Sequence, residues 1–297
     1  MAWIVIGLVR VLGWLPLSWA RVLGGAAGRL GWSLRVPAAR VTDANLALCF
    51  PELDARARRD LGRRSLMETC RLGCESGFVW HASRDAFANA LRVVEGDALL
   101  EAARSHRGGT LILSPHWGNW EVLAFALGPR MPITFLYDPP KVRALEASIV
   151  RARTRWGLAL APLDVGGLRQ VRRALAAGDA VGVLPDQTPR PDAAVRAPFF
   201  GVDVLTMTLA RRLIGPETQV LMVTVRRSPG GFELACERVD EAIRSEDLAV
   251  SATAMNRAVE QAVRRDPAQY QWEYKRFRER RRRGGPKVPD EGPQLRQ

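Results

Sequence analysis

The sequence predicts an α/β domain, a mostly parallel sheet flanked by helices, preceded by an N-terminal helical segment that associates with membrane. Two patterns carry this. From Leu91 onward, short apolar runs alternate with helical stretches, the signature of strands joined by crossover helices. Ahead of them, Trp3 to Trp32 is strongly apolar and rich in tryptophan. With 297 residues, the chain can bury one large core without disulfide staples. Its 47% hydrophobic and 25% charged residues exclude wholesale disorder and collagen-like repeats.

In the N-terminal segment (residues 1–32), Arg10 and Arg21 interrupt the apolar run. At about 100° per residue their separation returns them to within about 20° of one face. That geometry suits a helix lying in a bilayer interface, with Trp3, Trp14 and Trp19 at headgroup depth. Pro16 would kink or divide it. A short span with snorkelling arginines and a buried helix pair are the other two readings. No secretory signal arrangement is present.

The body is expected over residues 33–283, with a helical lead-in over about 40–83. NLALCFPE (45–52) reads as a helix end and a proline-marked turn, and Asp54 to about Ser83 as one helix. Strands are expected at RVVEG, at TLILSP (110–115), at PITFLY (132–137), at LALAP (158–162) and at AVGVLPD (180–186). Helices are expected at about 119–127, 140–156, 167–177 and 205–213. QVLMVTVRR and GFELACE read as strands, 248–264 as the last helix, and residues 284–297 as a disordered tail.

The segment TLILSPHWGNWE holds the chemistry. His116 follows a buried-type strand, at the carboxyl edge where open α/β sheets gather their sites. Glu121 falls in the first turn of the next helix. Histidine supplies a base near neutral pH, and a carboxylate can hold its tautomer. By pattern alone the signal is weak, and a chance pairing or a structural histidine bonded to backbone is the stronger reading. No GxSxG-type nucleophile accompanies the pair, so the attacking hydroxyl is expected from the substrate. Asn119 is either a donor to a developing oxyanion or a helix cap. Asp186, Gln187, Arg190 and Arg196 read as a substrate-binding rim or as a capped turn with solvated arginines. Phe199 and Phe200 read as the lining of an acyl channel or as core.

HWGNWE resembles the His-four-residues-acid motif of the glycerolipid acyltransferases. The whole chain resembles the lipid A biosynthesis late acyltransferases of Gram-negative bacteria, the lauroyl and myristoyl transferases. The tryptophan-rich N-terminus, NLALCFPE, SPHWGNWE, VGVLPDQTPRPDAAVRAPFFG (181–201) and QYQWEYKRFRER (269–280) carry the likeness. The resemblance implies a glycerolipid-acyltransferase-like sheet and transfer of a fatty acyl group from acyl carrier protein to a hydroxyl of a Kdo-bearing lipid A precursor. It places this at the cytoplasmic face of the inner membrane, in contact with anionic lipid. His116 and Glu121 take the catalytic positions, with Glu121 orienting His116, and no cofactor is required. An arginine proposed to assist catalysis in the family makes Arg169 a candidate, although the stretch 161–170 is poor in polar side chains. PDQTP departs from the PDH form of some lauroyl transferases, so chain length does not carry over.

Four cysteines without a cluster and three histidines argue against a metal site. A lysophospholipid, or another glycolipid or aminolipid, is the rival acceptor. The rival class is an anionic-surface or nucleic-acid binding protein. The net charge of +13 and the run Lys275–Arg283 favour it. No nucleic-acid motif supports it, and nucleic acid is not expected as a partner.

Overall fold

A computed structural model describes residues 2–139 and 143–277. The strands are β1 (Leu91–Glu95), β2 (Thr110–Leu113), β3 (Ile133–Tyr137), β4 (Ala159–Pro162), β5 (Ala180–Val183), β6 (Ala194–Phe199), β7 (Val202–Met207), β8 (Gln219–Ser228) and β9 (Gly231–Arg238). Seven of them form one sheet in the order β1-β9-β8-β2-β5-β3-β4. Every pairing is parallel except β8 with β9, a hairpin that turns between Ser228 and Gly231. All four residues of β2 and of β5 are buried. That is why these strands read as continuous apolar runs and not as alternating ones.

Helices α1 (Ala2–Leu12), α2 (Leu17–Ser33), α3 (Pro37–Cys49), α4 (Ala55–His81) and α5 (Arg84–Ala90) precede the sheet. The connections supply α6 (Asp97–Ser105), α7 (Val122–Leu127), α8 (Arg143–Thr154), α9 (Val165–Ala176) and α10 (Leu209–Leu213), and α11 (Leu248–Arg265) follows β9. Asp54 caps α4 by accepting from the amides of Arg56 and Ala57, and Asp247 caps α11 in the same way. One large buried cluster lies under α9, α11 and the β6–β7 hairpin, and a second lies under α6 and α7.

Two expectations are corrected and one is met. The helix expected over 205–213 is a strand followed by the short α10, because 194–207 folds back on itself as a hairpin through Phe200 and Gly201, both at positive φ. The apolar N-terminal run is divided, as Pro16 forewarned: α1 and α2 measure about 16 and 25 Å at 1.5 Å per residue. No helix among the described residues is long and apolar enough to cross a membrane. Nor do Arg10 and Arg21 share an exposed face. Arg10 is exposed, whereas the Arg21 side chain turns inward to a buried carboxylate.

Helix α2 lies directly on α4. A Cβ on Gly24 would come within 2.6 Å of the Arg71 backbone, and one on Gly28 within 2.4 Å of the Met67 backbone, so the four-residue glycine spacing sets how closely the two helices approach. The other side of the N-terminal pair exposes Trp14, Trp19, Val22, Leu23, Leu30 and Leu34. The expected tail (284–297) and Arg278–Arg283 of the basic run lie outside the described residues. Of that run's beginning, Lys275 is exposed but Arg276 is buried. The Arg276 guanidinium donates to the Leu205 carbonyl and to Thr206 Oγ1, and lies over the Phe199 ring.

Candidate active site

Because β2 and β5 are neighbours, their carboxyl ends release two loops side by side. The first carries His116 and the second carries Asp186 and Gln187. Asp186 is buried and takes two hydrogen bonds from His116. Its Oδ2 accepts from the backbone amide at 2.9 Å, and its Oδ1 sits 2.7 Å from ring Nδ1. A carboxylate can only accept, so Nδ1 carries the proton and Nε2 presents a lone pair. The Gln187 amide nitrogen lies 3.1 Å from Nε2, on the reactive edge of the ring. Burial alone would raise the Asp186 carboxyl. Electrostatic attraction to His116 and the hydrogen bonds it donates outweigh that and hold it below the usual carboxylate range. Beneath Asp186, the Tyr270 phenol is driven well above its ordinary value by burial and then by the Asp186 charge, so it stays protonated.

Glu121 does not meet His116 in this arrangement. Its carboxylate receives the Arg153 guanidinium in two hydrogen bonds, one from Nε at 3.1 Å, and a longer one of 3.4 Å from the Trp80 indole. Arg153 also lies over the Trp120 ring, 5.4 Å from its centroid, while Trp120 packs edge-on against the His116 ring at 5.2 Å. Burial pulls the Arg153 guanidinium down, but the charge and hydrogen bonds of Glu121 more than offset this, and it is held above its ordinary value. The site thus contains two acid–base pairs, His116–Asp186 and Arg153–Glu121, joined through the Trp120 indole. The expectation that Glu121 orients His116 is corrected on this point: Asp186 fills that position.

The turn between the pairs is tightly determined. Gly118 donates its amide to the Gln269 carbonyl, Asn119 donates to Val225, and Gln271 donates to the His116 carbonyl. Gly118 has a φ of 61°, and a Cβ there would sit 1.9 Å from the Val225 oxygen. Gly118→Ala is therefore expected to displace the loop, lowering stability by about 2–4 kcal/mol and reducing turnover with it. Urea melts and steady-state rates check both effects.

Other expected site residues fall elsewhere. Asn119 is fully buried, and its side-chain amide donates to Glu75, so it neither faces a reacting carbonyl nor caps α7 with its side chain. Arg169 is exposed on α9; the arginine that reaches the motif's acid is Arg153. Arg196 is exposed on β6, where it pairs with Asp203 at 3.2 Å, and Arg190 is exposed ahead of that hairpin. Phe199 and Phe200 are core, packed against Tyr270, Trp272 and Phe50, and not the wall of an open channel. Among the described residues there is no group of three or more histidine, cysteine or acidic side chains placed to hold a metal.

Sequence reading had passed over Glu273. It is half-buried, accepts from Thr69 Oγ1 at 3.0 Å, and feels the His116 charge. Burial raises its carboxyl above the usual range, against the smaller lowering effect of hydrogen bonds and of His116. A raised folded-state pKa means stability that is complete below the ordinary glutamate pKa and lost as pH climbs through the raised value. Glu273→Gln, permanently neutral, should thus gain on the wild type between pH 4 and pH 8 in denaturant melts. A difference that shrinks or reverses over that range would refute the assignment.

The chain matches one bacterial enzyme family over nearly its whole length. The family described as bacterial lipid A biosynthesis acyltransferase matches residues 1–279. The lipid A biosynthesis lauroyltransferase of Escherichia coli (strain K12) is 25% identical over 285 residues, covering 94% of this chain and 92% of the relative. The palmitoleoyltransferase of the same strain is 25% identical over 284 residues, with 94% and 92% covered. A lipid A biosynthesis acyltransferase of Haemophilus influenzae is 26% identical over 285 residues, with 94% and 90% covered. A match of this extent, running from the N-terminal helices through the QYQWEYK segment, places the chain in the bacterial lipid A biosynthesis acyltransferase family.

Proposed function

We propose that this acyltransferase moves a fatty acyl group from acyl carrier protein to a hydroxyl of a Kdo-bearing lipid A precursor, with His116 as general base. The observation that carries the reading is the His116–Asp186 pair, which leaves Nε2 with a lone pair toward the Gln187 amide. The acceptor hydroxyl displaces the Gln187 amide from Nε2 and gives up its proton there. Its oxygen attacks the thioester carbonyl carbon. As the tetrahedral intermediate collapses, the C–S bond breaks and the leaving thiolate takes the proton back from Nε2. Asp186 stays ionised and stabilises the imidazolium between the two transfers. The thioester is already activated, so the step balances without a further cofactor. Glu121 acts through Arg153, holding that cation beside Trp120 at the edge of the site.

The exposed Trp14, Trp19, Val22, Leu23, Leu30 and Leu34 support attachment of the N-terminal helices to a membrane; the inner membrane, with the sheet on its cytoplasmic side, follows from the proposed acceptor and donor. The net charge of +13 favours both anionic lipid and the acidic carrier. Mass spectrometry of lipid A from cells with and without the gene tests the acceptor. A lipid A species lighter by one acyl chain in the deletion strain is expected. Unchanged lipid A together with an altered phospholipid or aminolipid would assign a different acceptor.

A further inference from the structure

One buried carboxylate has no part in the chemistry described. Glu75, in the C-terminal third of α4, has no solvent exposure, yet three donors from three separate parts of the fold converge on it. Arg21 Nε from α2 reaches Oε1 at 2.6 Å, Arg227 Nε from β8 reaches the same oxygen at 2.8 Å, and Asn119 Nδ2 reaches Oε2 at 2.8 Å. Arg227 also bonds Glu68, two helical turns earlier on α4, at 2.5 Å. Arg21 closes the β8–β9 turn, donating to the carbonyls of Ser228 at 2.5 Å and Gly231 at 2.7 Å. Removing a carboxylate from water costs several kcal/mol unless it is paired and hydrogen-bonded, and here both oxygens are bonded, Oε1 by two arginines and Oε2 by Asn119.

Asn119 is the link to the site. It lies three residues after His116 and immediately before Trp120, which touches the His116 ring and the Arg153 guanidinium. Its main-chain N–H is committed to Val225, and its carbonyl receives the amide of Val122, the first residue of α7. The side-chain bond to Glu75 is the remaining restraint, and it fixes the residue in rotation as well as in place. We infer that Glu75 is a positioning residue for acyl transfer. Through Asn119 it sets the placement of Trp120, and so the registry of His116–Asp186 against Arg153–Glu121. This rests on the reading of His116 as the base.

Displacing a reacting group by about 1 Å can cost on the order of 100-fold, so Asn119→Ala, which leaves Glu75 with both arginines, should lower kcat by roughly 10–100-fold. The KM for donor and acceptor should stay within about threefold, while the thermal midpoint falls by roughly the 4–8 °C that losing one buried hydrogen bond implies. Glu75→Gln should lower kcat as well. Combining Glu75→Gln with Asn119→Asp reverses donor and acceptor while keeping the bond and the total charge, and should recover most of the lost kcat. If Glu75→Gln does not fold, Asn119→Ala alone decides. Wild-type kcat in folded Asn119→Ala overturns the inference. So does a loss that merely follows the thermal midpoint and is not recovered by the exchanged pair. His116→Ala run in parallel separates the two levels. If it keeps full activity the functional reading fails, and if it is inactive while Asn119→Ala is unimpaired only the positioning role fails.

Discussion

His116→Ala is expected to lower turnover by about 10²–10⁴-fold, and Asp186→Asn by a comparable factor. The reason for the second is the double acceptance by Asp186. An asparagine has one acceptor oxygen for two donors, the His116 amide and ring Nδ1–H. With its NH₂ toward the ring, the imidazole switches tautomer and Nε2 loses its lone pair. With its NH₂ toward the main chain, two donors oppose each other in a buried place. The double variant should lose far less than the product of the single losses, because the two residues act as one unit. Acid stability carries the same signature. The depressed Asp186 carboxyl contributes stability that is present above the ordinary aspartate pKa and fades as pH falls through its lowered value. Asp186→Asn should lack that component in denaturant melts taken from pH 6 downward. A folded Asp186→Asn enzyme with wild-type turnover would remove Asp186 from the mechanism.

The second large effect concerns the buried ion pair. Glu121→Leu leaves Arg153 buried without its carboxylate, and Arg153→Met does the reverse. Each should cost about 3–5 kcal/mol of stability, together with most of the activity. Replacing both removes two desolvated charges at once and should be clearly less destabilising than either single change. Activity should not return in the double variant, since the cation beside Trp120 is then gone. Urea melts and turnover on the three variants check this. Additive losses of stability would mean the two side chains are not coupled as the geometry shows.

The fold was readable where the physics is local. Apolar runs such as TLIL and AVGV, set between helical stretches, read as buried strands, and the carboxyl edge of TLIL marked the loop that carries His116. A stretch dense in Ala, Leu and Arg and free of proline marked α4 nearly end to end, and α11 was legible to within a residue. What stayed hidden depends on distance in sequence. Asp186 lies 70 residues beyond His116, and only the adjacency of β2 and β5 makes them partners, whereas Glu121 looked like the partner because it is close along the chain. Arg153 sits in a helix whose other arginines look alike, and nothing local marks the one that turns inward. Arg21 misled in the opposite sense, since helical periodicity placed it with Arg10 on one face of an interfacial helix while a buried Glu75 on α4 drew it into the core. Phe200 and Gly201 form a turn at positive φ that apolar patterning does not register, which is why a hairpin was taken for a helix.

The decisive measurement is a single-turnover assay on purified protein in micelles, with acyl carrier protein loaded with a labelled chain, a Kdo-bearing lipid A precursor, and the product read by mass spectrometry. The expected result is one acyl chain joined through a new ester to the precursor by the wild-type enzyme, with the rate reduced by about 10²–10⁴-fold in folded His116→Ala. Transfer at the wild-type rate by folded His116→Ala would contradict the central role given to His116.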